Sequence, residues 1–161
     1  ENPGRVAGVG HHRWYGELFA PAVALGILEP HHLAGYRNGP VYIRNSMHTP
    51  LPRDALTDAM EALIGLLVLE PEPAVRAVIG HHLFVFIHPY FDGNGRIGRF
   101  LMNVMLASGG YPWTVVRMKR RDTYMRALES ASSGGDIKPL ARFIAEEMRE
   151  WEPGKPARRK R

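Results

Sequence analysis

His88-Pro-Tyr-Phe-Asp-Gly-Asn-Gly-Arg-Ile-Gly-Arg99 is the stretch from which the rest of the chain is read. It gathers an imidazole, a carboxylate, three glycines, an amide and two guanidiniums between two apolar runs, Leu83 to Ile87 and Phe100 to Leu106. Pro89 lacks an amide hydrogen and biases His88 away from helical angles, so a helix is expected to end near Ile87. Gly93 and Gly95 permit positive φ and a close backbone approach to a ligand. Beyond them the apolar residues fall at 97, 100, 101, 104 and 105, the spacing of one helical face. Asp92 to Arg96 therefore lies at a helix N-terminus, where free amides and the macrodipole favour an anion.

Chemistry follows from that placement. Arg96 and Arg99 stand one helical turn apart and can clamp the same polyphosphate. Asp92 is a hard oxygen donor suited to Mg²⁺ arriving with phosphates. His88 can be neutral near pH 7 and accept a proton from a nucleophile. Together these are the parts of a nucleotide phosphate transfer, which depends on positioning and charge neutralisation. Read singly, each has a plainer meaning: a helix stop, a turn, a solvated face. Gly93-Asn-Gly95-Arg-Ile-Gly98 also matches the dinucleotide fingerprint. That reading fails, because no strand precedes it and no acid occurs between Asp92 and Asp122.

The stretch resembles the signature of the Fic family, H-x-F-x-(D/E)-G-N-G-R-x-x-R, departing only at Tyr90, where the family has Phe. The resemblance extends from about Leu18 to Trp151. It implies an all-α fold, a helical bundle with a small β-hairpin flap over the active site. It implies transfer of AMP from ATP to a hydroxyl of a target protein, with release of pyrophosphate. Carried over by motif position, His88 resembles the base and Asp92 the Mg²⁺ ligand. Gly93, Asn94 and Gly95 resemble the anion hole, with Arg96 and Arg99 on the phosphates. Tyr90 takes the place of a core anchor, and its hydroxyl then needs a partner. Two other readings stay open. One is a nucleotide-binding module whose catalysis has decayed. The other is phosphate transfer like that of the Doc relatives, which carry Lys where this chain has Gly95.

The flap is expected between Asn38 and Pro52. Val41, Tyr42 and Ile43 alternate as a strand, Asn45-Ser46 can turn, and Met47, His48 and Thr49 can return. In the family a flap at this point pairs with the target backbone. Residues 1–12 are glycine-rich and are expected to be loose. A helix is expected over Trp14 to Leu28, broken at Pro21, and a short one over Pro30 to Tyr36. The domain proper spans 13–152. Leu56, Met60, Leu63 and Leu67 mark one helix, and Val75, Val78, Ile79, Leu83 and Phe86 the one that delivers His88. Further helices are expected from Asp122 to Ser130 and, capped by Asp136, through Ile144 to Trp151. Tyr124 is a candidate nucleoside wall. The methionines at 60, 102, 105 and 148 sit on apolar faces and read as core.

The chain of 161 residues is 45% hydrophobic and 23% charged, ordinary for a globular domain. Its net charge of +5 comes from the tail after Pro153-Gly154; without the tail's five cations the remainder balances, 16 against 16. A solvated basic tail over 153–161 is expected, and a nucleic-acid partner is not. No apolar run is long enough to span a membrane, and no partner membrane is expected. The absence of cysteine removes disulfides and thiolate metal sites. The adjacent pairs His11-His12, His31-His32 and His81-His82 lack the spacing of a zinc-binding helix. A cytoplasmic enzyme is expected, with a secreted effector as the alternative. The family's autoinhibitory pattern, Ser/Thr-x-x-x-Glu-Gly/Asn, has no full match here. Thr57 to Glu61 begins one, but Ala62 ends it. The chain is thus expected to lack its own inhibitory helix, which was removed by truncation or lies on a partner protein.

Overall fold

The structure is a computed structural model that describes residues 2–150. Six α-helices account for most of it: α1 Pro3–Ala24, α2 Leu56–Leu69, α3 Pro73–Ile87, α4 Asn94–Ser108, α5 Arg121–Gly134 and α6 Lys138–Glu150. Short 3₁₀ turns cover Pro30–Leu33, Arg53–Ala55 and Met118–Arg120. The antiparallel pair α3 and α4 forms the centre, and the loop between them carries the opening motif. Helix α1 packs on α2 and α4, and α5 packs on α3 and α6.

Close approach between helices is made by glycine. A Cβ on Gly80 of α3 would meet Leu101 Cδ2 at 2.7 Å, and one on Gly98 of α4 would meet His81 Nδ1 at 3.1 Å. The helices therefore lie near enough for Phe84, Ile97, Leu101, Met102 and Met105 to be fully covered. Met60 joins this core, and Met148 packs at its edge.

Two expectations about the N-terminal third are corrected. Residues 3–12 are helical, not loose. Asn2 caps the helix by accepting from the Gly4 and Arg5 amides at 2.9 and 3.3 Å, and Pro3 occupies the first turn. The glycines that suggested looseness are contact points instead. Gly4 lies against the Leu67 backbone and Gly8 against Ile64. Pro21 does not break the helix, which runs on to Ala24.

The expected β-hairpin is also corrected. Among the described residues there is no strand; residues 40–43 and 48–52 belong to no regular element, and Met47 lies in a bend. Asn45 takes left-handed angles at φ 60°, and the Ser46 amide donates to Ile43 O at 3.2 Å, so the turn exists without the strands. Side chains supply the bonds a ladder would have made. Trp151 and the basic tail lie outside the described residues.

Candidate active site

His88 caps the C-terminus of α3 in left-handed geometry, φ 56° and ψ 59°. Its amide still donates to Phe84 O, closing the helix. Its ring Nδ1 donates to Val85 O at 3.1 Å. That bond fixes the tautomer and leaves Nε2 as the acceptor. Burial pushes its pKa below the ordinary imidazole value, and the charges of Arg37 and His48 push the same way. The Val85 carbonyl and Asp92 pull against them. The net direction is downward, so the ring is neutral at pH 7, as a base must be.

The loop after it is locked from within. Asn94 is buried and bonds to one residue twice: its Oδ1 accepts from the Tyr90 amide at 2.9 Å and its Nδ2 donates to Tyr90 O at 2.8 Å. Its side chain is thus a brace. Its contribution to an anion hole is left to the backbone. Gly93 sits at φ 79°, and its missing Cβ would strike Phe19 at 2.7 Å. The Asn94 and Gly95 amides begin α4 and have no acceptor among the described residues. Asp92 accepts from the Gly93 amide at 2.6 Å and pairs with Arg96 at 3.2 Å. The Arg96 guanidinium lies over the Phe19 ring, 5.0 Å from its centroid. Arg99 makes no ion pair among the described residues and opens onto a cleft of about 320 Å³ walled by Leu18, Phe100 and Trp113. Gly95 leaves this guanidinium uncovered, since a Cβ there would come within 3.4 Å of Arg99 Nη1.

Tyr90 is buried at 1% exposure and stacks on Tyr15 with centroids 3.8 Å apart. Its hydroxyl, which burial holds strongly protonated, donates to His12 Nδ1 at 2.9 Å. The Tyr-for-Phe departure is therefore matched by a partner on α1. Tyr124 is corrected. It is buried, and its hydroxyl pairs with His81 Nε2 at 2.8 Å, so it walls no open space. On the same helix Met125 and Leu128 reach the open cleft of about 510 Å³ beside the 41–49 segment. In that segment Tyr42 and Met47 are almost fully exposed, Thr49 is exposed, and Val41 and Ile43 are half-buried. His48 turns inward, donating from Nε2 to Phe86 O at 2.7 Å and stacking on the Phe86 ring.

Two contributors escaped the sequence reading. Arg37 is buried at 4% exposure with no carboxylate partner among the described residues. Its Nε donates to His88 O at 2.8 Å, Nη1 to Gly39 O at 2.9 Å and Nη2 to Leu51 O. One guanidinium thus ties both stems of the 40–50 segment to the backbone of His88. Glu129, in mid-α5, bonds to the tip of the same segment. Neither lies in a motif; a lone cation and a lone anion carry no spacing to read.

The sequence model of the Fic/DOC family matches residues 17–106, more than half of the chain. The chain belongs to the Fic/DOC family. A protein adenylyltransferase Fic of Nematostella vectensis is 38% identical over 125 residues, which is 75% of this chain and 29% of that protein. One of Culex quinquefasciatus is 36% identical over 126 residues, 76% of this chain and 25% of that protein. This Fic domain thus spans under a third of the length of these curated relatives. Among solved structures, Fic-1 from C. elegans superposes with a TM-score of 0.67 at 27% identity, over 80% of this chain and 38% of that one. A Fic family protein from Desulfovibrio desulfuricans G20 does so with a TM-score of 0.67 at 29% identity, over 89% and 48%.

Proposed function

We propose that this Fic domain transfers AMP from ATP to a Ser, Thr or Tyr hydroxyl of a target protein. The observation that carries the reading is the His88 ring: Nδ1 is occupied by Val85 O, Nε2 is free, and the ring is pushed toward neutrality. In the proposed reaction Nε2 takes the proton of the target hydroxyl as its oxygen attacks the α-phosphorus. The bond from that phosphorus to the bridging oxygen breaks, and pyrophosphate leaves. The Asn94 and Gly95 amides with Arg96 and Arg99 hold phosphate oxygens, where developing charge is best met by preorganised donors. The 41–49 segment serves as the flap, with the exposed Tyr42, Met47 and Thr49 facing the target.

The site's donor set suits Mg²⁺. Asp92 is a single exposed carboxylate, the oxygen donor this ion takes when it stays mostly hydrated and arrives with phosphates. Bound there, the ion would neutralise phosphate charge. No group of three or more metal-binding side chains occurs among the described residues, so the phosphates would complete the shell. The names of the relatives support AMP transfer. Gly95 supports it over the Doc-type alternative, since it places no lysine beside Arg99. A carboxylate delivered to Arg99 by a partner's helix would displace a phosphate oxygen, and this is the form of inhibition the site accepts.

In the test, a lysate is incubated with the domain and α-labelled ATP. His88→Ala should lower labelling about 10²–10⁴-fold, the range for loss of a general base, without lowering the melting temperature. Full labelling by that variant, or labelling from γ-labelled ATP instead, overturns the reading.

A further inference from the structure

A segment without a strand ladder needs another reason to hold one shape. At its stems the reason is Arg37. At its tip it is a carboxylate from a different element. Ser46 Oγ donates to Glu129 Oε2 at 2.5 Å, the Met47 amide donates to Oε1 at 2.8 Å, and Ser133 Oγ completes the set at 2.7 Å. These three donors hold the Glu129 pKa below the ordinary carboxylate value, so the charge persists at physiological pH. Bonds to a charged acceptor are the stronger kind. The turn they grip has one backbone bond of its own, together with the His48 amide donating to Ser46 Oγ at 3.1 Å and the His48 ring anchored on Phe86 O beside it, and it includes a left-handed asparagine.

We propose that Glu129 is a positioning residue whose carboxylate clasps the Ser46–Met47 tip and fixes the flap's height above His88. The role for catalysis rests on the transferase reading; the clasp does not. Glu129 touches no reacting atom in this scheme. It acts through the flap, whose exposed edge at Tyr42 and Met47 would receive the target backbone. Opening the clasp would free residues 44–47 to swing between the stem that Arg37 holds and His48, which stays anchored on Phe86.

The flap carries its own reporter. Arg44 is exposed at the tip, so trypsin can cut after it whenever the tip opens. Cleavage at Arg44–Asn45, followed by mass spectrometry, should run about tenfold faster in Glu129→Ala, the scale expected when a hydrogen bond to a charged group is lost. Glu129→Asp should recover part of the protection. Ser133→Ala removes the one donor outside the flap and should cleave as the parent does. Melting temperatures equal to the parent's would separate a loosened tip from a loosened fold. With the acceptor purified from the lysate labelling, Glu129→Ala should raise KM for that protein about tenfold and leave kcat within about threefold. Equal cleavage rates in Glu129→Ala and parent overturn the clasp. Loss of kcat with KM unchanged overturns the positioning role. Faster cleavage of Glu129→Ala in a domain that labels nothing upholds the clasp and removes the transferase reading instead.

Discussion

At the scale of single residues, the site works by assigning each ring nitrogen and each carbonyl one task. His88 shows this best. Its carbonyl is held by Arg37, its amide by Phe84 and its Nδ1 by Val85, so only Nε2 is left to react. The downward pKa shift has a consequence with a definite sign. A base must be unprotonated, and a lowered pKa keeps it so into more acidic solution. The kcat/KM for labelling should therefore stay level from pH 8 to below 6.5, the ordinary imidazole value, then fall about tenfold per unit on the acid side. A rate already halved at pH 7 would contradict this. The functions expected of Asp92, Arg96 and Arg99 rested on their residue types at fixed intervals in a contiguous stretch. The brace made by Asn94 and the pairing of Tyr90 with His12 depend on where α1 lies. No local spacing encodes that.

At the scale of elements, glycine positions separate what could be read from what could not. Helices α2, α3, α4 and α6 have one apolar stripe each, and their spacing announced them. Of helix α1 only the second half was announced, because its early glycines look like a loop until α2 is placed beside them. The same residue type should therefore give opposite effects along one helix. Gly4→Ala puts a methyl group 2.6 Å from the Leu67 backbone, which cannot yield as a side chain would. It should destabilise by about 1–3 kcal/mol. Gly16→Ala meets nothing within 4 Å and should stabilise by about 0.5–1 kcal/mol through helix propensity. Thermal melts of the two variants check both signs; a lower melting temperature for Gly16→Ala, or an unchanged one for Gly4→Ala, contradicts the account. The flap failed as a hairpin for a related reason. Alternation at Val41 to Ile43 predicts a strand, and these residues join no regular element. Pairing additionally requires facing partners, and Arg37, His48 and Glu129 engage the segment first.

At the scale of the whole molecule, buried imidazoles set the response to acid. His81 is fully buried, and burial drives its pKa to about 4. His11, His12, His82 and His88 are shifted in the same direction, each mainly by burial. In the unfolded chain these groups return to about 6.5. Between those values the unfolded state binds more protons, so acid favours it. Stability should be complete above pH 6.5 and fall as pH drops toward 4, with His81 alone contributing up to about 1.4 kcal/mol per unit. Urea midpoints at pH 7 and pH 5 test this, and equal midpoints refute it. No helix among the described residues is long and apolar enough to cross a membrane. If the proposed transfer holds, the guanidinium of Arg37 bears on attempts to alter which proteins would be modified. A chimaera that imports a foreign 39–51 segment also imports whatever carbonyl geometry its stems present to that cation. If the fit is poor, the imidazole loses its alignment together with the new recognition edge. Specificity and competence are thus inherited as a pair, and a donor for such grafts is best chosen by its match at positions 39 and 51.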